Sequence, residues 1–469
     1  MAEHYKPQKY KAWELTLEER FREYYPPLSE REATTEANRC LYCYDAPCMV
    51  ACPTHIDIPT FIRKIATGNV KGSAKTILES NLMGATCSRV CPVEELCEGA
   101  CVLRADQKPI MIGRLQRYAM DYADEHKIKF FQPGKPNSRK VAIVGAGPAG
   151  LSCAGELAKL GFAVTCFERK EWAGGLDTYG IVVFREPVEV SLAEVKMIEE
   201  LGVQINTKTT VGKDIQFEEI LADYDAVFIG VGLGEVPDME IPGEHLEGVF
   251  DGLEFIEETK TRPLNQIQFG RRVCVIGAGN TAIDCATIAR RLGAERVMMV
   301  YRRSEAEMPA YHFEYEFALK EGVSFMFLTQ PIEVLGADGK VDGLKCLRMD
   351  LGQPDASGRR TPVPIPDSDF IIHCDMVIKA IGQKKPIDVL NKLAEYGVKN
   401  QKGYIVVDSE TKRTDHQKIF AGGDCIRSKG EASTVMAVQD GKIAAKAIYK
   451  QLVGEPVPQG VAQSASQRK

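Results

Sequence analysis

Apolar residues recur at helical spacing through about the first 130 positions, in Thr16–Tyr25, Ile58–Ala66, Lys71–Glu79 and Gly113–His126, and predict a helical block. Residues 131–140, FQPGKPNSRK, interrupt this pattern with prolines, a glycine and charge, which marks a domain boundary. Beyond it VAIVGAGPAGLSCAGELAKLGFAVTCFER reads as a strand, a glycine turn, a helix and a second strand. The same succession returns about 130 residues later, over Arg272–Arg303. Two copies of one supersecondary unit predict two α/β nucleotide-binding domains behind an α-helical one. The polar stretch 456–469 is expected to be a disordered tail.

Length and charge narrow the class. A chain of 469 residues suggests about three domains. Its 59 basic and 65 acidic side chains leave a net charge of -6, which argues against a nucleic-acid binder with a basic face. No run of 18 apolar residues occurs and the polar N-terminus lacks a signal-peptide core, so a cytoplasmic protein without membrane association is expected.

The cysteines change the picture more. Eight of the fifteen fall within residues 40–101, as Cys40-x2-Cys43-x4-Cys48-x3-Cys52-Pro53 and Cys87-x3-Cys91-Pro92-x4-Cys97-x3-Cys101. The other seven are scattered singly, as small buried hydrophobes usually are. Disulfides are disfavoured in a reducing compartment, and short spacings also suit tetrahedral zinc. Closely spaced cysteines ending in Cys-Pro favour iron–sulfur clusters, in which the last cysteine of one half commonly serves the other cluster. Two 4Fe–4S clusters need eight ligands. Because not every thiol need bind, a polar side chain downstream, in Gly113-Arg114-Leu115-Gln116, is a further candidate.

The segments RCLYCYDAPCMVACP, TCSRVCPVEELCEGAC and IGRLQR resemble the N-terminal region of the dihydropyrimidine dehydrogenase family, and the resemblance covers the chain up to its tail. It implies one cluster on Cys40, Cys43, Cys48 and Cys101, and another on Cys52, Cys91, Cys97 and Gln116, with Cys87 left as a neighbour. The small subunit of glutamate synthase and NAD(P)H:ferredoxin-type electron-transfer flavoproteins share the architecture, and Gln116 is the residue that best separates the three.

Gly145-Ala146-Gly147-Pro148-Ala149-Gly150 lies between a strand and a helix, and an acid, Glu168, follows 23 residues after Gly145 at the end of the next strand. Glycines permit the tight turn, the helix N-terminus suits a pyrophosphate, and the carboxylate suits ribose hydroxyls. Gly174-Gly175-Leu176 and Gly422-Gly423-Asp424 resemble FAD-binding elements of two-dinucleotide flavoproteins. The same resemblance places Arg185, Thr434 and Val435 beside the flavin ring. It implies a discontinuous FAD domain, residues 136–255 and 385–455, between a helical double 4Fe–4S domain, 1–135, and an NAD(P)H domain, 256–384.

The second turn, Gly277-Ala278-Gly279-Asn280-Thr281-Ala282, has no acid after its next strand; Arg302 and Arg303 stand there. Guanidinium groups bind a 2′-phosphate, so NADPH is favoured over NADH. Ala380-Ile381-Gly382 resembles a segment that closes over a nicotinamide. No redox Cys-x4-Cys or Cys-x2-Cys accompanies either turn, and the lone Cys285 reads as core. The expected protein takes hydride from NAD(P)H on FAD and passes single electrons through two clusters, with no classical catalytic side chain. The resemblance implies that its partner is an FMN- and iron–sulfur-containing catalytic subunit that reduces pyrimidines.

Overall fold

The computed structural model describes residues 15–355, 358–427 and 432–454; the expected disordered tail lies outside the described residues. The chain forms two compact units. One comprises residues up to Tyr24, Tyr179–Phe184 and Gly234–Lys384; the other comprises Tyr25–Thr178, Arg185–Leu233 and the chain from Lys385 onward.

In the second of these units the helical block contains Glu30–Ala37, Pro47–Ala51, Ile58–Ala66, Val70–Ser80, Gly84–Val90 and Ile112–Glu125. Three expected helices fall within a residue of their predicted limits. Each starts on an identifiable feature: Asp57 accepts the Thr60 amide, Asn69 accepts the Gly72 amide, and Glu98 accepts the Gly113 amide. Helix Gly84–Val90 lacks an apolar repeat. Its first amides, from Ala85 and Thr86, donate to the buried Glu194 carboxylate at 2.7 and 3.3 Å.

The block packs with a parallel sheet in the strand order Ile419–Ala421, Ala226–Ile229, Lys140–Val144, Ala163–Phe167, Gln204–Asn206. Its central strands are continuous apolar runs, as burial on both faces requires. Strand Ile419–Ala421 returns from far along the chain to pair with Ala226–Ile229, so this nucleotide fold is discontinuous.

The other unit holds a second parallel sheet, in the order Val249–Asp251, Met376–Lys379, Arg272–Ile276, Arg296–Val300, Ser324–Met326. An antiparallel group built on the long strand Lys340–Pro354 joins it. Two expected limits shift. Val249–Asp251 hydrogen-bonds to Met376–Lys379, so the boundary expected at residue 255 lies earlier, at Gly234. The helix expected over Thr16–Tyr25 is only Leu17–Arg20, and it belongs to this unit, not to the helical block. There the Tyr24 amide donates to the Phe184 carbonyl at 2.8 Å and its ring meets Phe317, and these distant contacts override local helix preference.

Among the described residues no helix is long and apolar enough to cross a membrane. All seven scattered cysteines are buried, and all fifteen thiols are free.

The long helix Thr434–Val453 packs on Pro148–Lys159, and at Gly441 the two backbones leave no room for a side chain. A Cβ there would stand 2.8 Å from the Cys153 amide nitrogen and closer still to the Ala149 carbonyl. Helix propensity alone would make Gly441→Ala stabilising by about 0.8–1 kcal/mol. Overpacking costs about 1–3 kcal/mol, so the expected sign is reversed. Gly441→Ala should lower the melting temperature of the holoprotein; a rise would contradict this packing.

Candidate functional site: two thiol pockets and two glycine turns

Proline shapes both cysteine runs. A residue that precedes proline is driven out of the helical region. Cys52, before Pro53, ends helix Pro47–Ala51 at φ −78°, ψ 116°; Cys91, before Pro92, ends Gly84–Val90 at φ −58°, ψ 137°. The cysteines thus sort into two pockets. Cys40, Cys43, Cys48 and Cys101 line one, backed by Ile58, Ile62, Ile110 and Ile112. Cys52, Cys87, Cys91 and Cys97 line the other, together with Gln116, Asn81 and Val435.

The second pocket therefore gathers one more candidate than four ligands require. Cys87 is buried, and its thiol is within hydrogen-bonding reach of Cys91 and Asn81. Gln116 is 7% exposed, and its Nε2 donates to the Gly84 carbonyl at 2.7 Å, which leaves Oε1 as its lone-pair donor.

Electrostatics tests what these pockets can hold. Burial pushes the Cys48 thiol up to about 12, and Cys40 and Cys101 push the same way. Burial and then Glu98 raise Cys97. Several thiolates cannot share such pockets without a cation that they ligate. Among the described residues no three His, Cys, Asp or Glu side chains converge on a single-ion site; the thiols wall a space instead. This donor set suits a multi-atom cluster of iron and sulfide better than one tetrahedral ion.

In the same unit the first glycine turn meets two distant segments. Gly145 adopts φ +93°, and a Cβ there would stand 2.6 Å from the Gly230 carbonyl, so glycine is required. Gly147 is the N-cap of helix Pro148–Lys159 and supplies no side-chain cap, which leaves amides at the helix start, where Ala149 lies, for an anion. The Gly174 amide donates to the Ala146 carbonyl at 2.7 Å, and a Cβ on Gly175 would be 2.8 Å from Gly147 Cα. Leu176, next to it, is largely exposed. Gly423, at φ +77°, abuts Ala149. Glu168 is buried and accepts the Ala146 and Lys170 amides at 2.9 and 2.8 Å, so the acid braces the turn beside it. Asp424 is part-buried, and desolvation raises its carboxyl above the usual range. Arg185 is half-buried, and Thr434 donates through Oγ1 to Asp177 at 2.6 Å.

Asp440 is a residue that the sequence reading missed. It accepts the Gly423 amide at 3.0 Å and pairs with Arg427 and Lys412 at 2.6 and 3.2 Å, thereby holding the Gly-Gly-Asp turn. Its signal is the one acid in the run VMAVQDGKIAAKAI, where the other charges are lysines.

The other unit repeats the turn. Gly277 adopts φ +130°, and a Cβ would strike the Ala380 carbonyl, so the Ala380–Gly382 segment runs beside it. Gly279 is the uncapped N-cap of helix Asn280–Leu292, and Thr281 is half-buried in its first turn. Asn280 Oδ1 accepts the Tyr311 amide at 3.1 Å, which draws Pro309–Tyr311 over the turn, a segment that the sequence did not single out. Gly382, at φ +106°, has open space where a Cβ would be.

The two arginines part company. Arg302 is exposed. Arg303 is 7% exposed; its Nε donates to the Arg360 carbonyl and an Nη donates to Asp355, both at 2.8 Å. The guanidinium of Arg303 is thus engaged by Arg360 and Asp355, whereas Arg302 is exposed. His312 is 78% exposed beside Glu316, as an ordinary surface residue is.

Residues 17–128 match the family described as "Dihydroprymidine dehydrogenase domain II, 4Fe-4S cluster", and residues 139–441 match pyridine nucleotide-disulphide oxidoreductase. The chain is 36% identical over 448 residues to the glutamate synthase (NADPH) small chain of Escherichia coli (strain K12), covering 92% of this chain and 94% of that one. It is 38% identical over 433 residues to the NADP(+)-dependent formate dehydrogenase subunit beta of Moorella thermoacetica, covering 87% of this chain and 60% of that one. Mycobacterium tuberculosis FprA, solved in complex with NADPH, shares the fold at a TM-score of 0.55 and 20% identity over 70% of this chain and 88% of that one.

The arginine geometry makes a prediction. A charge-assisted hydrogen bond is worth about 1.5–3 kcal/mol, so Arg302→Gln should weaken NADPH binding about 10- to 100-fold while NADH changes little. Arg303→Gln should lower the melting temperature and affect both coenzymes alike. Titration of each variant with each coenzyme decides this, and selective loss of NADPH in Arg303→Gln would contradict the assignment.

Proposed function

Because this chain belongs to the family of the glutamate synthase small chain, NADPH-dependent FAD and iron–sulfur oxidoreductases, we propose that it is an electron-input subunit serving a partner that reduces pyrimidines. The observation that carries the electron-input reading is a juxtaposition on one helix. Thr434 bonds to Asp177 in the flavin-binding fold, and the next residue, Val435, lines the second thiol pocket. Consecutive residues of one helix thus link the dinucleotide-binding fold to the second thiol pocket.

When bound, FAD supplies a hydride acceptor that can release electrons singly, and 4Fe–4S clusters supply one-electron carriers. The chain's own residues bind and orient. Gly145, Gly147, Gly175 and Gly423 clear backbone for the dinucleotide, with Pro148 and Ala149 opening the helix that faces it. Glu168 faces the ribose, and Asp424 the ribityl chain. In the other unit Gly277, Gly279, Asn280, Thr281, Ala380 and Gly382 hold the coenzyme, and Arg302 selects its phosphate. Cys40, Cys43, Cys48 and Cys101 hold one cluster; Cys52, Cys91, Cys97 and Gln116 hold the other. Hydride transfer requires no proton donor, so position and electrostatics are the protein's contribution.

Gln116, on the wall of the second pocket, supports the pyrimidine-reducing partner, an FMN- and iron–sulfur-bearing subunit. A second reading, service to a glutamate synthase large subunit, draws support from the end-to-end match to that enzyme's small chain. Reconstitution separates them. The purified holoprotein should oxidise NADPH with an artificial dye and should consume uracil only after the FMN subunit is added. Uracil-independent turnover with a glutaminase-bearing large subunit, and none with the FMN subunit, would overturn the pyrimidine assignment.

A further inference from the structure

Lys442 lies midway along the helix Thr434–Val453 and is 6% exposed. Its Nζ donates to the Thr54 carbonyl at 2.9 Å and to the Ser80 carbonyl at 2.7 Å. Among the described residues no carboxylate comes within ion-pairing distance of it. The nearby acid, Glu156, is already paired with Lys159 at 2.9 Å. Lys159 and Lys446, the other cations facing this ammonium, oppose its charge, whereas Glu156 and Cys52 favour it. Burial lowers its pKa to about 8, so it still carries a proton at neutral pH.

A buried ammonium without a counter-charge is costly, and two carbonyl acceptors compensate only part of that cost. The missing negative charge lies close at hand. Thr54 follows Cys52 by two residues, and its hydroxyl is 3.4 Å from the Cys52 thiol, which lines the second pocket. A 4Fe–4S cluster held by thiolates is an anion, and each electron added makes it more so.

We infer that Lys442 is the counter-ion of the cluster in the second pocket, and that through Thr54 it holds that cluster's reduction potential above the value it would otherwise have. The inference rests on the electron-input reading and deepens it, because it assigns to one side chain the relative ease with which this cluster accepts an electron. Lys442 is a positioning residue: it acts on the cluster through its charge and through the backbone that presents Cys52. Net charge and hydrogen bonds to the sulfurs are both recognised levers on cluster potential.

The test is an EPR-monitored redox titration of the holoprotein, with iron and flavin content measured on the same samples. Lys442→Gln removes the charge and should lower the midpoint potential of one cluster while the other moves less. Lys442→Arg keeps the charge and should stay near the wild-type value. Unchanged potentials in a Lys442→Gln protein that retains full iron would overturn the inference. If Lys442→Gln loses iron, Lys442→Met decides, since it removes the charge while keeping the packing of the buried stem. A fall in the same midpoint supports the inference, and an unchanged one overturns it. Absence of any cluster signal from the wild-type protein would instead count against the electron-input reading itself.

Discussion

The close contact between helices Pro148–Lys159 and Thr434–Val453 is the constraint on which the rest of the redox unit depends. One helix begins at the glycine turn that receives a dinucleotide; the other begins beside the second thiol pocket. Gly441 lets their backbones meet, and three interactions then follow along a single helix. Thr434 reaches Asp177, Asp440 ties down Gly423, and Lys442 reaches the carbonyls behind Cys52. A parallel sheet, a returning strand and a helical block are thereby locked to one another by side chains at known positions. The function proposed for the chain requires that coupling, because electrons can pass only between centres held close and held still.

The thiol pockets impose the complementary electrostatic demand. Each gathers cysteines among apolar neighbours, and burial raises the pKa of Cys48 in one and of Cys97 in the other, so these thiols ionise there only when they ligate a cation. Cys-Pro junctions fix the backbone at Cys52 and Cys91, and the amide of Gln116 is held by the Gly84 carbonyl. The shape of the second pocket's wall is thus set by rigid local features.

Where residue identity follows from backbone geometry, the sequence was legible. Gly145 and Gly277 are the only side-chain choice at positive φ against a crossing carbonyl, so both nucleotide turns could be placed from the glycine spacing alone. Helix Ile58–Ala66 was legible from its apolar periodicity. What the sequence could not reveal depended on distant partners. Arg302 and Arg303 look equivalent as letters, yet the first is exposed and the second buried, and a partner 52 residues on captures the second. Tyr24 leaves the expected helix because of Phe184 and Phe317, far away in the chain. Asp440 and Lys442 read as surface charge on a helix until the helix is seen to be buried. The partition of eight cysteines between two pockets was likewise beyond spacing alone; it came from the family resemblance.

The central claim is that one chain holds two 4Fe–4S clusters beside one flavin. Iron, acid-labile sulfide and FAD determination with Mössbauer spectroscopy on the anaerobically purified protein tests it most directly. The account predicts roughly eight irons and eight sulfides per FAD, all in cubane environments. Zinc in place of iron, or roughly four irons per FAD with the second pocket's thiols free to alkylate, would contradict it.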